Sequence, residues 1–392
     1  MQEKKESFTA ACDFELGQHH VKRISNYYLY LPDDDYQPRL VVYIPGFGDD
    51  ASAYRKVFCQ KICEQYRLVT MTVDYHGLLS RSQKKEDLYF EQVDEQLIGQ
   101  LLTKHGVKLD GTESALVALE KLNSALEVKG VVENITATLL PKKKEYQNGG
   151  LMAALDILNA INDFQNKYKV ENPDVILVGS SNGGFIANLV SKIAPNTISA
   201  VIDNSSWASL SLTYIVGRDL KTPESAHYFW SNLKVYYYVL SAWTMRPNLP
   251  NTFLSSHHAI RGFDDTQIKQ MAKNGSICFY YFAHAIDDNI APTQAKINMA
   301  KTMISEGFDV HMEVFDQGDI DGKLVKNLEH GMGMSMLTLF DRAWPMVSKK
   351  LTQSPNDFVL KSKICYEASG VAYGFDFNEK GVSPNLLMLV NE

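Results

Sequence analysis

The order of segments along the chain predicts an α/β fold, with a mainly parallel central sheet flanked by helices. Three observations carry this. The runs "RLVVYI" (39–44), "RLVTMTVDY" (67–75) and "VILVG" (175–179) read as buried strands. Helical stretches recur between such runs in β-turn-α-β order. At 392 residues and 45% apolar content, the chain can fill one large core. With no internal repeat and no low-complexity linker, residues 1–392 are expected to form one domain. It carries a helical insert at 78–148, a second insertion at 207–272 and a C-terminal extension from 352 to 392.

Each element follows in order. Residues 13–32 read as two short strands, "YYLYL" being the clearer. "RLVVYI" runs into "PGFGDD", "VFCQKICEQY" (57–66) looks helical, and "RLVTMTVDY" is the next strand. The 78–148 insert holds "YFEQVDEQLIGQLL" and "SALVALEKLNSAL", both helical in pattern, and the solvated loop "PKKKE". In 149–168, Leu151, Leu155, Leu158 and Ile161 recur at helical spacing. Pro173 marks the turn into "VILVG"; "FIANLVSKIA" is a helix and "SAVIDNSS" (199–206) a strand. The 207–272 stretch breaks the rhythm and is rich in large aromatics, Trp207, Trp230 and Trp243 among them. "ICFYYFAHAIDDNIAP" is a strand and loop, "AKINMAKTMISEG" a helix, "DVHMEVF" (309–315) a strand, and "HGMGMSMLTLFDRAWPMVSKKL" the last long helix.

Composition excludes some roles. The net charge of −7 argues against a nucleic-acid binder. No window is long and apolar enough to span a bilayer, and "MQEKKESFTAACDFELG" has no apolar core of a secretory signal, so the cytoplasm is the expected compartment. The five cysteines are scattered and odd in number, which suggests reduced thiols; Cys59 and Cys63 read as core residues on one helix. The pair His257-His258 lacks ligands at zinc spacing. "QGDIDG" (317–322) has Gln at the first position of a calcium loop and Leu328 at the twelfth, so no metal and no cofactor is expected.

The stretch "VILVGSSNGGF" carries the chemistry. Gly179-Ser180-Ser181-Asn182-Gly183 fits G-x-S-x-G with Ser181 central. Such a pattern arises by chance in roughly one chain in ten of this length, so its setting decides. A buried strand precedes it and a helix follows, the context of a nucleophile elbow. Ser180 occupies the x position and should point away. A serine nucleophile needs a base, and the base an orienting acid. "FAHAIDDNIAP" follows a strand and offers Asp287 and Asp288; "NLEHGMG" follows the next strand and offers His330.

From about residue 36 to 350 the chain resembles the α/β-hydrolase superfamily, through "VVYIPGFG", "VGSSNGG", "HAIDDNIAP" and "EHGM". The resemblance implies an α/β-hydrolase fold and a triad in the order Ser181, Asp, His330. Its acid loop places the aspartate four residues before a proline; Pro292 points to Asp288, with Asp287 the alternative. It implies an oxyanion hole from the backbone N–H of Asn182 and of the loop after "RLVVYI". Phe47 is the expected donor there and Gly48 the alternative, because Pro45-Gly46-Phe47-Gly48 departs from the usual His-Gly pattern. It places a lid at 207–272, with Trp207 and Gly48 as candidate substrate contacts. The helical insert and elbow also resemble a bacterial family of unknown function associated with flagellin-glycosylation gene regions, which implies an ester on a modified sugar as substrate.

The expected activity is serine-dependent cleavage of a carboxylic (O-acyl) ester through an acyl-enzyme, on a small-molecule or glycan-like substrate. Acyl transfer or peptidase action by the same residues is the alternative within enzymes. A ligand-binding protein with little turnover is the alternative outside them.

Overall fold

The computed structural model describes residues 1–18, 21–33, 38–47, 53–82, 84–111, 113–389. The chain divides into two compact units. The first comprises Met1–Leu78, Gly149–Leu210 and Leu254–Glu392; the second comprises Leu79–Asn148 and Ser211–Phe253.

The first unit is built on an eight-stranded sheet. Its strands, numbered in chain order, are β1 (Gln2–Ala10), β2 (Arg23–Leu31), β3 (Arg39–Ile44), β4 (Val69–Val73), β7 (Asp174–Ser180), β8 (Ile198–Asn204), β11 (Phe279–Ala285) and β12 (Asp309–Phe315), in spatial order β1-β2-β4-β3-β7-β8-β11-β12. The β1–β2 and β2–β4 pairs are antiparallel and all the others parallel. The fold is therefore α/β with a mainly parallel sheet, as the sequence predicts. Both faces are covered. Val41, Tyr43, Ile176, Val178, Ile202 and Tyr281 point to one side, where they meet Phe58 and Ile62 of α1 (Tyr54–Tyr66) and Leu339 and Phe340 of α9 (Met336–Val347). The intervening Leu40, Val42, Val175, Leu177 and Val201 are equally buried. Such side chains contribute about 1.5–3 kcal/mol each when fully buried. This two-sided burial is why these strands read as unbroken apolar runs.

Helices α4 (Leu151–Tyr168) and α5 (Asn182–Ile193) add a second helical layer, with α5 against β7 and β8 and α4 against α5 and β1. The sequence predicts one apolar stripe on α4, yet nearly the whole helix is buried. The reason lies in the C-terminal extension. After α10 (Asp357–Leu360) it forms a second antiparallel sheet of β13 (Lys363–Ala368), β14 (Val371–Asn378) and β15 (Gly381–Met388), and β15 packs on α4. Asn159 Oδ1 accepts the Val382 N–H at 2.9 Å, and Asn162 and Asn166 both donate to the Glu379 carbonyl at 3.0 Å. The remaining helices of this unit are α6 (Ser255–Arg261), α7 (Asp265–Asn274) and α8 (Thr293–Ser305).

Two sequence expectations need correction. Strands occupy 2–10 and 23–31 rather than two short segments within 13–32. Residues 13–18 make a tight reversal closed by the Gln18 N–H on the Asp13 carbonyl at 2.8 Å. The last long helix begins at Met336, not His330, because Gly331, Met332 and Gly333 all have positive φ. The C-terminal tail is a folded sheet.

The second unit holds α2 (Gln92–His105), α3 (Ala115–Lys129) and a sheet in the order β5-β6-β10-β9, made of β5 (Leu88–Tyr89), β6 (Glu133–Leu139), β9 (Ser225–Tyr228) and β10 (Leu233–Val239). Leu119, Leu122, Leu126, Ile135, Leu233 and Val235 form its core. Both helices stop at a glycine in the left-handed region, Gly106 and Gly130. The segments 79–148 and 211–253 are thus joined by the parallel β6–β10 pair. Among the described residues no helix is long and apolar enough to cross a membrane.

A buried lysine sits at the end of α5. Lys192 Nζ donates to the Ile260 and Gly262 carbonyls at 2.7 and 3.0 Å and lies between the rings of Phe263 and Tyr366. Burial pushes this amine down to about 7; Asp264 opposes the shift and Arg261 adds to it. Between that value and the ordinary lysine value of 10.5 the unfolded chain binds the extra proton, so stability should rise with pH. Urea unfolding of the wild type between pH 7 and 9, compared with Lys192→Met, should show a relative gain of up to about 1.4 kcal/mol per pH unit. Parallel pH dependences in the two proteins would contradict the assignment.

Candidate active site

Ser181 stands at the junction of β7 and α5 with φ 55° and ψ −122°. A non-glycine residue there costs about 1–3 kcal/mol, and close packing imposes it. A Cβ on Gly179 would lie 2.3 Å from the Gly183 carbonyl carbon, and one on Gly183 would lie 1.9 Å from the Ile44 carbonyl oxygen. Strand, helix and the neighbouring β3 meet backbone to backbone, which only glycine permits. The Ser181 N–H donates to the Asn204 carbonyl at 2.7 Å, and the Ser181 carbonyl accepts the Phe185 N–H at 3.0 Å. Ser180 remains in β7, in register with Asn204.

Of the two serines, Ser181 is the one that meets the histidine: Ser181 Oγ lies 2.8 Å from His330 Nε2. The other ring nitrogen, Nδ1, lies 2.8 and 3.1 Å from the two Asp288 oxygens. An ionised carboxylate only accepts, so Nδ1 carries the proton and Nε2 offers its lone pair to the Ser181 hydroxyl. Asp288 is buried and Asp287 exposed. Burial alone would raise the Asp288 pKa. The hydrogen bond from His330 and those from the Ala291 and Ile290 N–H groups, both 2.9 Å, outweigh it and hold the carboxyl below its ordinary value. The charge on this acid is therefore kept beside the imidazole.

The supporting residues come from several strands. His284, buried at the end of β11, places Nε2 2.8 Å from the Ala291 carbonyl and so ties down the acid loop as a neutral ring; burial lowers its pKa. Trp207 Nε1 donates to the Ile290 carbonyl at 2.8 Å, and its indole lies 5.9 Å from the His330 ring, tilted by 32°. Phe47 is 6.3 Å from the same indole. The loop carrying Phe47 presses on the elbow: a Cβ on Gly46 would lie 2.8 Å from the Ser180 carbonyl oxygen. Tyr75 Oη anchors that loop by donating to the Pro45 carbonyl at 2.7 Å. Asn182 is the first residue of α5, where backbone N–H groups have no intrahelical acceptor. The structure thus gathers Ser181, Asn182, Asp288, His330, Phe47 and Trp207 in one place. Gly48 lies outside the described residues.

Beneath the elbow is a buried ion pair. Lys296 Nζ of α8 donates to Asp203 Oδ2 at 2.6 Å and to Ser206 Oγ at 3.0 Å, over the Phe282 ring. Asn188 of α5 donates to the same Asp203 oxygen at 2.8 Å, and a Cβ on Gly184 would lie 2.4 Å from the other. The pair joins the helix that begins at the nucleophile to the helix that follows the acid loop. Sequence reasoning missed it, although Asp203 in the apolar run "SAVIDNSS" signals a carboxylate that must find a partner. It also missed Tyr75 and His284.

Over residues 7–386 the sequence matches the family described as "Protein of unknown function (DUF2920)". The chain belongs to that family. No curated protein matches it in sequence. Among solved structures, this DUF2920 chain is similar to an acylaminoacyl peptidase in complex with Z-Gly-Gly-Phe-chloromethyl ketone, at 11% identity and TM-score 0.46, over 91% of this chain and 42% of the other. It is similar to Thermogutta terrifontis esterase 2 phosphoramylated by tabun, at 12% identity and TM-score 0.40, over 88% and 92% of the two chains. A puromycin hydrolase mutant complexed with PGG gives 12% identity and TM-score 0.48, over 89% and 39%. The DUF2920 chain spans about two fifths of the length of the peptidase and the puromycin hydrolase.

Removing one partner of the buried pair isolates its role. Asp203→Asn leaves the Lys296 cation without its counter-charge and should destabilise the first unit by about 3–5 kcal/mol in urea denaturation. Exchanging both partners, as Asp203→Asn with Lys296→Met, should recover most of that loss. A double variant no more stable than the single one would contradict a charge-pairing role.

Proposed function

We propose that this DUF2920 protein is a serine hydrolase that cleaves a carboxylic ester of a small molecule through an acyl-enzyme. The observation that carries the proposal is the unbroken hydrogen-bond path from Ser181 Oγ through both ring nitrogens of His330 to Asp288. In the first half-reaction Ser181 Oγ attacks the acyl carbonyl while His330 Nε2 takes its proton. Asp288 holds the Nδ1 proton and stabilises the imidazolium. The N–H groups of Asn182 and Phe47 receive the developing oxyanion. The tetrahedral intermediate collapses and the alcohol leaves with the proton from His330. A water then repeats the sequence: it gives its proton to His330, attacks the acyl carbon, and releases the carboxylic acid as Ser181 recovers its hydrogen. Trp207 lies over the imidazole, so it is the proposed wall of the acyl or alcohol pocket.

Fluorophosphonate labelling tests the assignment. Wild type and Ser180→Ala should react, and Ser181→Ala should not. Asp288→Asn should lower kcat on an activated ester by about four orders of magnitude, because the imidazole loses its orienting acceptor. Labelling that survives in Ser181→Ala and disappears in Ser180→Ala would overturn the elbow assignment.

A further inference from the structure

The end of β8 is joined to both the nucleophile and the base. Asn204 and Ser205 are fully buried, and Ser205 has φ 59°, a left-handed conformation that serine rarely adopts. The Asn204 carbonyl accepts the Ser181 N–H at 2.7 Å. The Asn204 side-chain Nδ2 donates to the Gly331 carbonyl at 3.2 Å. Ser205 Oγ accepts the Gly331 N–H at 3.2 Å and donates to Asn204 Oδ1 at 2.9 Å. The Ser205 N–H is held by the Ala283 carbonyl of β11 at 2.9 Å. Gly331 follows His330 directly, and both polar groups of its backbone are thus bound by the side chains of Asn204, the last residue of β8, and of Ser205, which follows it.

We infer that Asn204 and Ser205 are positioning residues that set the His330 backbone relative to Ser181, an inference that rests on the hydrolase reading above. The left-handed backbone at Ser205 is what turns its hydroxyl back toward Asn204 Oδ1 while its lone pairs face Gly331. The turn from Gly331 to Gly333 has positive φ throughout, and it is closed by the Met334 N–H on the Gly331 carbonyl at 3.0 Å and by the Met332 N–H on the Glu329 carbonyl at 2.8 Å. The Asn204 and Ser205 side chains fasten that turn to the strand end whose carbonyl holds the Ser181 N–H. Neither residue touches the reacting atoms; each acts through the His330 main chain.

Ser205→Gly separates positioning from stability. Glycine accepts φ 59° without strain, so folding should be retained, but the hydroxyl is gone. In fluorophosphonate labelling of the full chain, the maximal inactivation rate should fall at least about tenfold, with the half-saturating probe concentration unchanged within about twofold. The urea midpoint should not fall. Asn204→Asp keeps the acceptor for Ser205 and the backbone carbonyl for Ser181 but loses the donor to Gly331, and should give the same split. Unchanged inactivation rates in both variants would overturn the inference while leaving the hydrolase reading intact. A wild type that does not label would overturn that reading, and this inference with it.

Discussion

Around Ser181, β7, α5 and β3 pack backbone to backbone, closer than any side chain allows. Gly183 lies so near the Ile44 carbonyl that no side chain fits, and Gly179 is pressed against Gly183 in the same way. This approach forces Ser181 into its left-handed turn, with its hydroxyl 2.8 Å from His330 Nε2. Everything else in the site is arranged around that hydroxyl. The strain is local, of order 1–3 kcal/mol. Extensive burial of the surrounding strands offsets it.

A parallel sheet explains why the other groups arrive. Strands β3, β7, β8, β11 and β12 run the same way, so their C-terminal ends lie on one side. Phe47 follows β3, Ser181 β7, Asn204 ends β8 with Ser205 just beyond it, Asp288 follows β11 and His330 comes after β12. That edge is where open α/β sheets bind ligands. The loops are held by cross-connections: Trp207 and His284 to the acid loop, Tyr75 to the loop after β3, and the Lys296–Asp203 pair beneath them all. The site therefore combines one strained residue with several individually ordinary hydrogen bonds.

How much of this could be read from residues alone follows from the range of the interactions. The strands at 39–44 and 309–315 were legible to the residue, because apolar runs flanked by turn residues are local signals. Ser181, Asp288 and His330 were legible as candidates because each follows a strand in a recognisable order. The first strand, "QEKKESFTA", was not: it lies at the sheet edge, mostly exposed, and carries no apolar alternation until its end. The near-complete burial of α4 was not legible either, since it depends on a C-terminal sheet more than two hundred residues away in sequence. Nor was the Lys296–Asp203 pair, whose partners lie on different elements and meet only in the folded core. The non-helical stretch after His330 was misread because methionines and leucines follow it at helical spacing, while the left-handed Gly331 and Gly333 interrupt the backbone.

We propose that His330 makes Ser181 a nucleophile that carries an acyl group. Rapid acid quench of the protein with p-nitrophenyl acetate, followed by peptide mass spectrometry, tests it most directly. A burst of nitrophenol equal to one acetyl group per chain is expected, with the acetyl on Ser181. Release of nitrophenol without any acetyl on Ser181, or with the acetyl on Ser180, would contradict it.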